Sequence, residues 1–123
     1  MVGGHIPIEE LELLRSNDPR TAITMLEEQV QRAKHLLQNR PIRSADYTRW
    51  LNATREYLIK IYGLRSPNIK TILYAPGKTA VWLGMPDTVR DRYTASSIEQ
   101  KIERLNGCIL RLKREMEEKY AQQ

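Results

Sequence analysis

The sequence is poor in reactive side chains. It holds one cysteine, Cys108, and two histidines, His5 and His35. One cysteine excludes an internal disulfide and fits a reducing, cytoplasmic setting. A structural Cys/His zinc site cannot be assembled from so few ligands, and no metal or cofactor is expected. No run approaches the roughly 18 apolar residues of a membrane span. The start, Met1-Val2-Gly3-Gly4-His5-Ile6-Pro7, lacks a basic region followed by an apolar core, so no signal peptide is expected. There is no Gly-x-Ser-x-Gly nucleophile elbow and no internal repeat.

What is present is ordinary folded-protein composition. The chain has 123 residues, 41% hydrophobic and 28% charged, which suits one domain rather than a disordered chain. The charge is uneven. Residues 1–30 carry Glu9, Glu10, Glu12, Asp18, Glu27 and Glu28 against Arg15 and Arg20, a local −4. Residues 40–70 carry Arg40, Arg43, Arg49, Arg55, Lys60, Arg65 and Lys70 against Asp46 and Glu56, a local +5. The basic middle could offer phosphates a face through Arg40, Arg43, Arg49, Arg55, Lys60 and Arg65. Alternatively, the acidic start packs near it, in the same chain or in a neighbouring copy.

Helical periodicity dominates. Residues 7–15 read as a short helix, with Pro7 in the first turn and acids near its start. Ser16-Asn17-Asp18-Pro19 breaks it, with Asp18 a good N-cap and Pro19 a good first helical residue. Ile23, Leu26, Val30, Ala33 and Leu37 follow at spacings of 3, 4, 3 and 4, predicting a helix to about Asn39 that Pro41 ends. Ser44 or Asp46 is expected to cap the next helix. Its apolar face is Tyr47, Trp50, Leu51, Thr54, Leu58 and Ile61, and Gly63 is the expected left-handed stop.

Residues 64–86 are irregular, and Ser66-Pro67 can start a short helical turn there. Thr71-Ile72-Leu73-Tyr74 and Thr79-Ala80-Val81-Trp82-Leu83 have strand character around the turn residues Ala75-Pro76-Gly77-Lys78. A small hairpin and an extended loop pinned by Tyr74 and Trp82 are both compatible with this stretch. Asp87 is then expected to cap a long helix to about Tyr120. Its stripe, Ile98, Ile102, Leu105, Ile109, Leu112 and Met116, keeps heptad spacing over nearly three repeats. Gly107 and Cys108 suggest close approach of another helix near the middle. The fold expected is mainly α: an antiparallel bundle of three main helices over 18–120, a short N-terminal helix and linker over 1–17, and a loop or small β-hairpin at 67–86.

Three motifs invite chemistry and fall short of it. Gly77-Lys78-Thr79 resembles the end of a phosphate-binding loop, but Ile72 stands where its first glycine belongs and no helix reads after it. Cys108 lies among Leu105, Ile109 and Leu112, the setting of a buried structural thiol. Glu9-Glu10 and Glu117-Glu118 sit on exposed turns as solvated charge. Aromatics interleave with arginines from Tyr47 to Trp82. Trp50 belongs to the core stripe, while Tyr57 lies off it and is the better surface candidate.

Residues 50–66 carry a more specific pattern: Trp50, Thr54, Leu58, Tyr62, Gly63 and Ser66, or W-x3-T-x3-L-x3-Y-G-x2-S. It resembles the N-terminal helical region that precedes the TIR-like domain in bacterial predicted nucleotide-binding and anti-phage defence proteins. The order of elements over 19–120 is similar. The TIR-like domain itself, with its parallel sheet and glutamate, is absent. The resemblance therefore implies an adaptor rather than an NAD hydrolase. Such a module self-associates, docks a protein effector or holds one inactive. The expected partner is a second copy, met through Ile98, Ile102, Leu105, Ile109, Leu112 and Met116. The alternative is nucleic acid or a nucleotide ligand on the basic face. No catalytic residue and no membrane contact is expected.

Overall fold

A computed structural model describes residues 19–73 and 84–121. They form four helices: α1 (Pro19–Gln38), α2 (Ser44–Tyr62), α3 (Pro67–Leu73) and α4 (Asp87–Ala121), with no strand among the described residues. The fold is mainly α, with three main helices as the periodicity predicts. The short helix at 7–15, the Asp18 cap, Tyr74 and Trp82 lie outside the described residues.

α1 starts on Pro19 and buries Ala22, Ile23, Leu26, Val30 and Ala33 on one face. It stops at Gln38, short of the Arg40-Pro41 step, where a proline disfavours helical backbone in the residue before it. α2 corrects the expected cap. Arg43 holds the N-cap position in extended backbone with no side-chain cap, and Ser44 is the first helical residue. Asp46 lies in the first turn, where its charge favours the helix dipole. Gly63 ends α2 with φ +94° and ψ 155°, its N–H bonded to the Ile59 carbonyl at 2.8 Å. This is positive-φ extended backbone rather than a left-handed turn, and glycine tolerates it.

Thr71-Ile72-Leu73 is helix, not strand. Ile69, Ile72 and Leu73 fall at i, i+3 and i+4 and are all buried. That helical face outweighs the strand preference of the β-branched residues, a preference that context readily overrides. Ser66 starts the turn by accepting the Asn68 N–H at 3.2 Å, and Pro67 is the first helical residue. Pro86, not Asp87, caps α4: its carbonyl accepts Val89 N–H at 3.1 Å and Arg90 N–H at 3.0 Å. α4 then runs unbroken for 35 residues, about 52 Å at 1.5 Å per residue. Gly107 faces open space, with nothing within 4 Å of an added Cβ. No helix approaches there among the described residues.

Contacts fix the directions. Lys113 meets Glu27 at 3.5 Å and Arg40 meets Asp91 at 2.7 Å, so α1 and α4 are antiparallel. Trp50 and Thr54 both bond to Gln29, and the short connector from Gln38 to Ser44 makes α1 and α2 antiparallel. Tyr47 bonds to Ser97 and Tyr62 to Cys108, so α2 and α4 run parallel. The bundle is thus antiparallel only about α1. One hydrophobic cluster joins all four helices, centred on Leu26, Leu58, Ile61, Ile72, Ile98, Leu105 and Leu112. No helix among the described residues is long and apolar enough to cross a membrane.

Candidate functional site

The α4 stripe is spent inside the chain. Ile98, Leu105, Ile109 and Leu112 are buried, and Ile102 and Met116 are half-buried against the same core. Their partners are chiefly on α1, which packs along α4 more extensively than any other pair of helices packs. The apolar side chain that α4 does present to solvent is Leu110, 51% exposed on the opposite face.

The six basic residues do not gather into one face. Arg40 is held by Asp91. Arg43 lies at the N-cap of α2, and Arg65 follows its end. On α2, at about 100° per residue, Arg49 and Lys60 fall on one flank while Arg55 lies about 120° away. Glu56 falls about 20° from Arg49, on the flank that Arg49 and Lys60 share. Lys60 stands 5.9 Å over the Tyr57 ring, and Arg49 reaches Asp46 at 3.8 Å with 78% of its side chain exposed. Among the described residues, the side chains of Arg43, Arg55 and Arg65 make no ion pair or hydrogen bond.

A concave surface lies between α1 and α2. Its cavity measures about 640 Å³ and is lined by Glu28, Gln29, Gln31, Arg32, His35 and Leu36 of α1 and Asp46, Arg49, Trp50 and Ala53 of α2. Behind it sits a closed polar network. Gln29 and Thr54 are both fully buried. Gln29 Nε2 donates to Thr54 Oγ1 at 2.7 Å, and Thr54 Oγ1 donates to the Trp50 carbonyl at 2.8 Å. Trp50 Nε1 donates back to the Gln29 carbonyl at 2.9 Å. Arg32 completes the circuit from the rim, donating to Gln29 Oε1 at 2.9 Å while pairing with Glu28. Among the described residues no buried side-chain N or O lacks a partner. The network sets the register of α1 on α2, because a slip by one residue would orphan buried polar atoms.

The sequence expectation for Trp50 holds: it is buried and stacks on Tyr47 with ring centroids 6.3 Å apart. Tyr57 is half-buried rather than fully at the surface. Lys101 of α4 stands 5.9 Å over the Tyr47 ring and donates to Ser97 at 2.7 Å, and Ser97 shares a 2.9 Å hydrogen bond with Tyr47. This cluster clamps the start of α2 to α4. Gln29 was not singled out by sequence reasoning. Its signal was there, since it shares a face with Ala22, Leu26 and Ala33 at helical spacing.

A second polar cluster forms at the far end of α2. Cys108 is fully buried, as its apolar neighbours predict, and Arg111 Nη2 donates to its sulfur at 3.3 Å. Burial, and then Cys108, push the Tyr62 hydroxyl far above the ordinary tyrosine range. The bond to Cys108 raises the Arg111 guanidinium further. His35 is exposed on the groove rim, with its carbonyl bonded to Asn39 at 2.8 Å, and His5 lies outside the described residues. Among the described residues no group of three or more His, Cys, Asp or Glu is placed to hold a metal ion.

No family model, curated protein or solved structure matches the chain.

Proposed function

We propose that this chain is a non-enzymatic helical interaction module. The observation that carries the reading is the α1–α2 groove, concave and floored by Leu36, Trp50 and Ala53. Its walls are locked in place by the buried Gln29–Thr54–Trp50 network, so the shape is pre-formed before anything binds. The occupant it fits is an amphipathic helix with flanks of mixed charge. The apolar stripe of such a helix would cover the floor. Its flanks would meet Arg49 with Asp46 on one rim and Arg32 with Glu28 on the other.

An adaptor or regulatory role in bacterial anti-phage defence, in the cytoplasm, is the setting the Trp50–Ser66 resemblance supports. Association of copies into a homo-oligomer would use the groove or the outer face of α4, since the Ile98–Met116 stripe already packs within the chain.

The test is binding of a fluorescent, designed amphipathic helix with a leucine stripe and flanks that mix glutamate and lysine. Binding that Ala53→Arg abolishes in a folded protein supports the groove. Equal binding by that variant overturns it. Native mass by light scattering, with the 260/280 nm ratio of the same peak, reads copy number and bound nucleic acid together. The second reading, a small basic binder of nucleic acid or nucleotide, is favoured by Arg43, Arg55 and Arg65, whose side chains make no ion pair or hydrogen bond among the described residues. It predicts excess 260 nm absorbance and binding that weakens with salt.

A further inference from the structure

Resting on the self-association reading above, we infer that the outer face of α4 pairs with the same face of a second copy. The two helices run antiparallel about a two-fold axis midway between Gly107 and Leu110. Four exposed residues mark this face: Glu103, Gly107, Leu110 and Arg114. At about 100° per residue they fall within about 60° of one another. The buried Leu105, Cys108 and Leu112 lie on the other side of the helix. Glycine is a weak helix former, yet Gly107 stands in an exposed helix interior with nothing of the described chain within 4 Å of an added Cβ. No contact among the described residues accounts for that glycine or for the exposure of its neighbour Leu110. A second helix accounts for both. Its backbone comes close over Gly107, and its Leu110 fills the notch beside it.

The charges select this pairing. Glu103 lies four residues before Gly107, and Arg114 lies four residues after Leu110. The stripe is therefore complementary to itself once one copy is reversed. Gly107 comes level with Leu110 of the second copy, and Glu103 with Arg114 of the second copy, each twice by symmetry. The two charge pairs sit about 8 Å either side of the axis. A parallel, in-register pairing would set Glu103 against Glu103 and Arg114 against Arg114, a like-charge cost that disfavours it. Among the described residues neither side chain makes an ion pair or hydrogen bond within its own chain, so both are available across the axis. Glu99 and Glu117 of the two copies come level at the solvent edge, where their repulsion is screened. The contact is small and its rim polar, so the dimer is weak and concentration-dependent. The charges set its direction more than its affinity.

Sedimentation of the full chain at low salt, up to about 1 mM, reads the association. Glu103→Arg and Arg114→Glu alter exposed positions and are each expected to weaken self-association several-fold, since each sets like charges across the axis. The two variants should then complement each other. One carries arginine at both positions and the other carries glutamate at both. Labelled Glu103→Arg is expected to bind Arg114→Glu several-fold more tightly than it binds Arg55→Glu, a chain of equal net charge altered on α2. Equal binding to the two overturns the inference. Self-association that neither α4 variant weakens overturns it too, and if Ala53→Arg abolishes that association the second copy belongs in the groove. A chain that stays monomeric throughout also overturns it. If such a monomer still binds the designed helix, and Ala53→Arg abolishes that binding, the docking reading stands and this pairing alone is removed.

Discussion

Asp91, in the first turns of α4, accepts the backbone N–H of Ile42 at 2.6 Å. Its other carboxylate oxygen takes Arg40 Nε at 2.9 Å and Nη2 at 2.7 Å. One side chain thus ties the α1–α2 connector to a helix some fifty residues away. It also supplies an acceptor for a connector N–H that no helix or strand partners.

The Asp91 carboxyl is held below the ordinary carboxylate range, first by the Ile42 N–H and then by Arg40, against the opposing cost of its burial. A depressed folded-state pKa adds stability that is complete above the unfolded value, about 3.9. That stability is lost as the pH falls toward the folded value. Asp91→Asn keeps the acceptor for Ile42 and drops the charge. Thermal melts at pH 7 are expected to place it below the unaltered chain. The gap should close as the pH falls below about 4. A gap constant across that range would show that the charge contributes nothing.

Thr54→Val removes the acceptor of Gln29 Nε2 while nearly conserving shape. A buried donor left without a partner costs about 1–3 kcal/mol. Adding Gln29→Leu removes the orphaned donor, so the double variant is expected to lose less than the sum of the two single losses. Urea denaturation of all four members of the cycle measures the coupling. Additive losses would mean that the network does not act as a unit.

Ile109 and Leu110 are neighbours in sequence with opposite fates, 7% and 51% exposed. Ile109→Asp places a carboxylate in the core and is expected to unfold the chain or cost more than about 4 kcal/mol. Leu110→Asp is expected to stay within about 0.5 kcal/mol. Circular dichroism melts read both. A folded Ile109→Asp protein of reduced native mass would instead return the heptad stripe to an interface between copies.

The long elements were legible because their periodicity and their burial agree. Leu26, Val30 and Ala33, and again Ile98, Leu105 and Leu112, recur at helical spacing and face the core. Thr71-Ile72-Leu73 was misread because its local preference is for strand, while Ile69 three residues before Ile72 completes a helical face. Only the packing of that face on α2 and α4 decides between the two. The heptad spacing of α4 marked a buried seam without telling whether its partner was α1 or another copy. The groove was not legible at all, since it exists only once Gln29 of α1 is set against Trp50 and Thr54 of α2. The basic count over 40–70 likewise carried no geometry, and the helical turn divides Arg49 and Lys60 from Arg55.

That division sets a quantitative expectation for polyanion binding. Each phosphate neutralised contributes about −0.9 to the slope of log K against log salt on duplex DNA. Six cations on one face would give a slope of about −5. Arg40 is occupied by Asp91, and Arg55 projects about 120° away from Arg49 on α2. A duplex lying on one flank meets Arg49 and Lys60, so the expected slope is about −2. Arg49→Ala with Lys60→Ala should then flatten it, and Arg55→Ala should leave it unchanged. Fluorescence anisotropy of a labelled duplex across a salt series measures each slope. A value near −5 would require the connector arginines to swing onto the same face. In that case Asp91→Asn, by freeing Arg40, should strengthen binding.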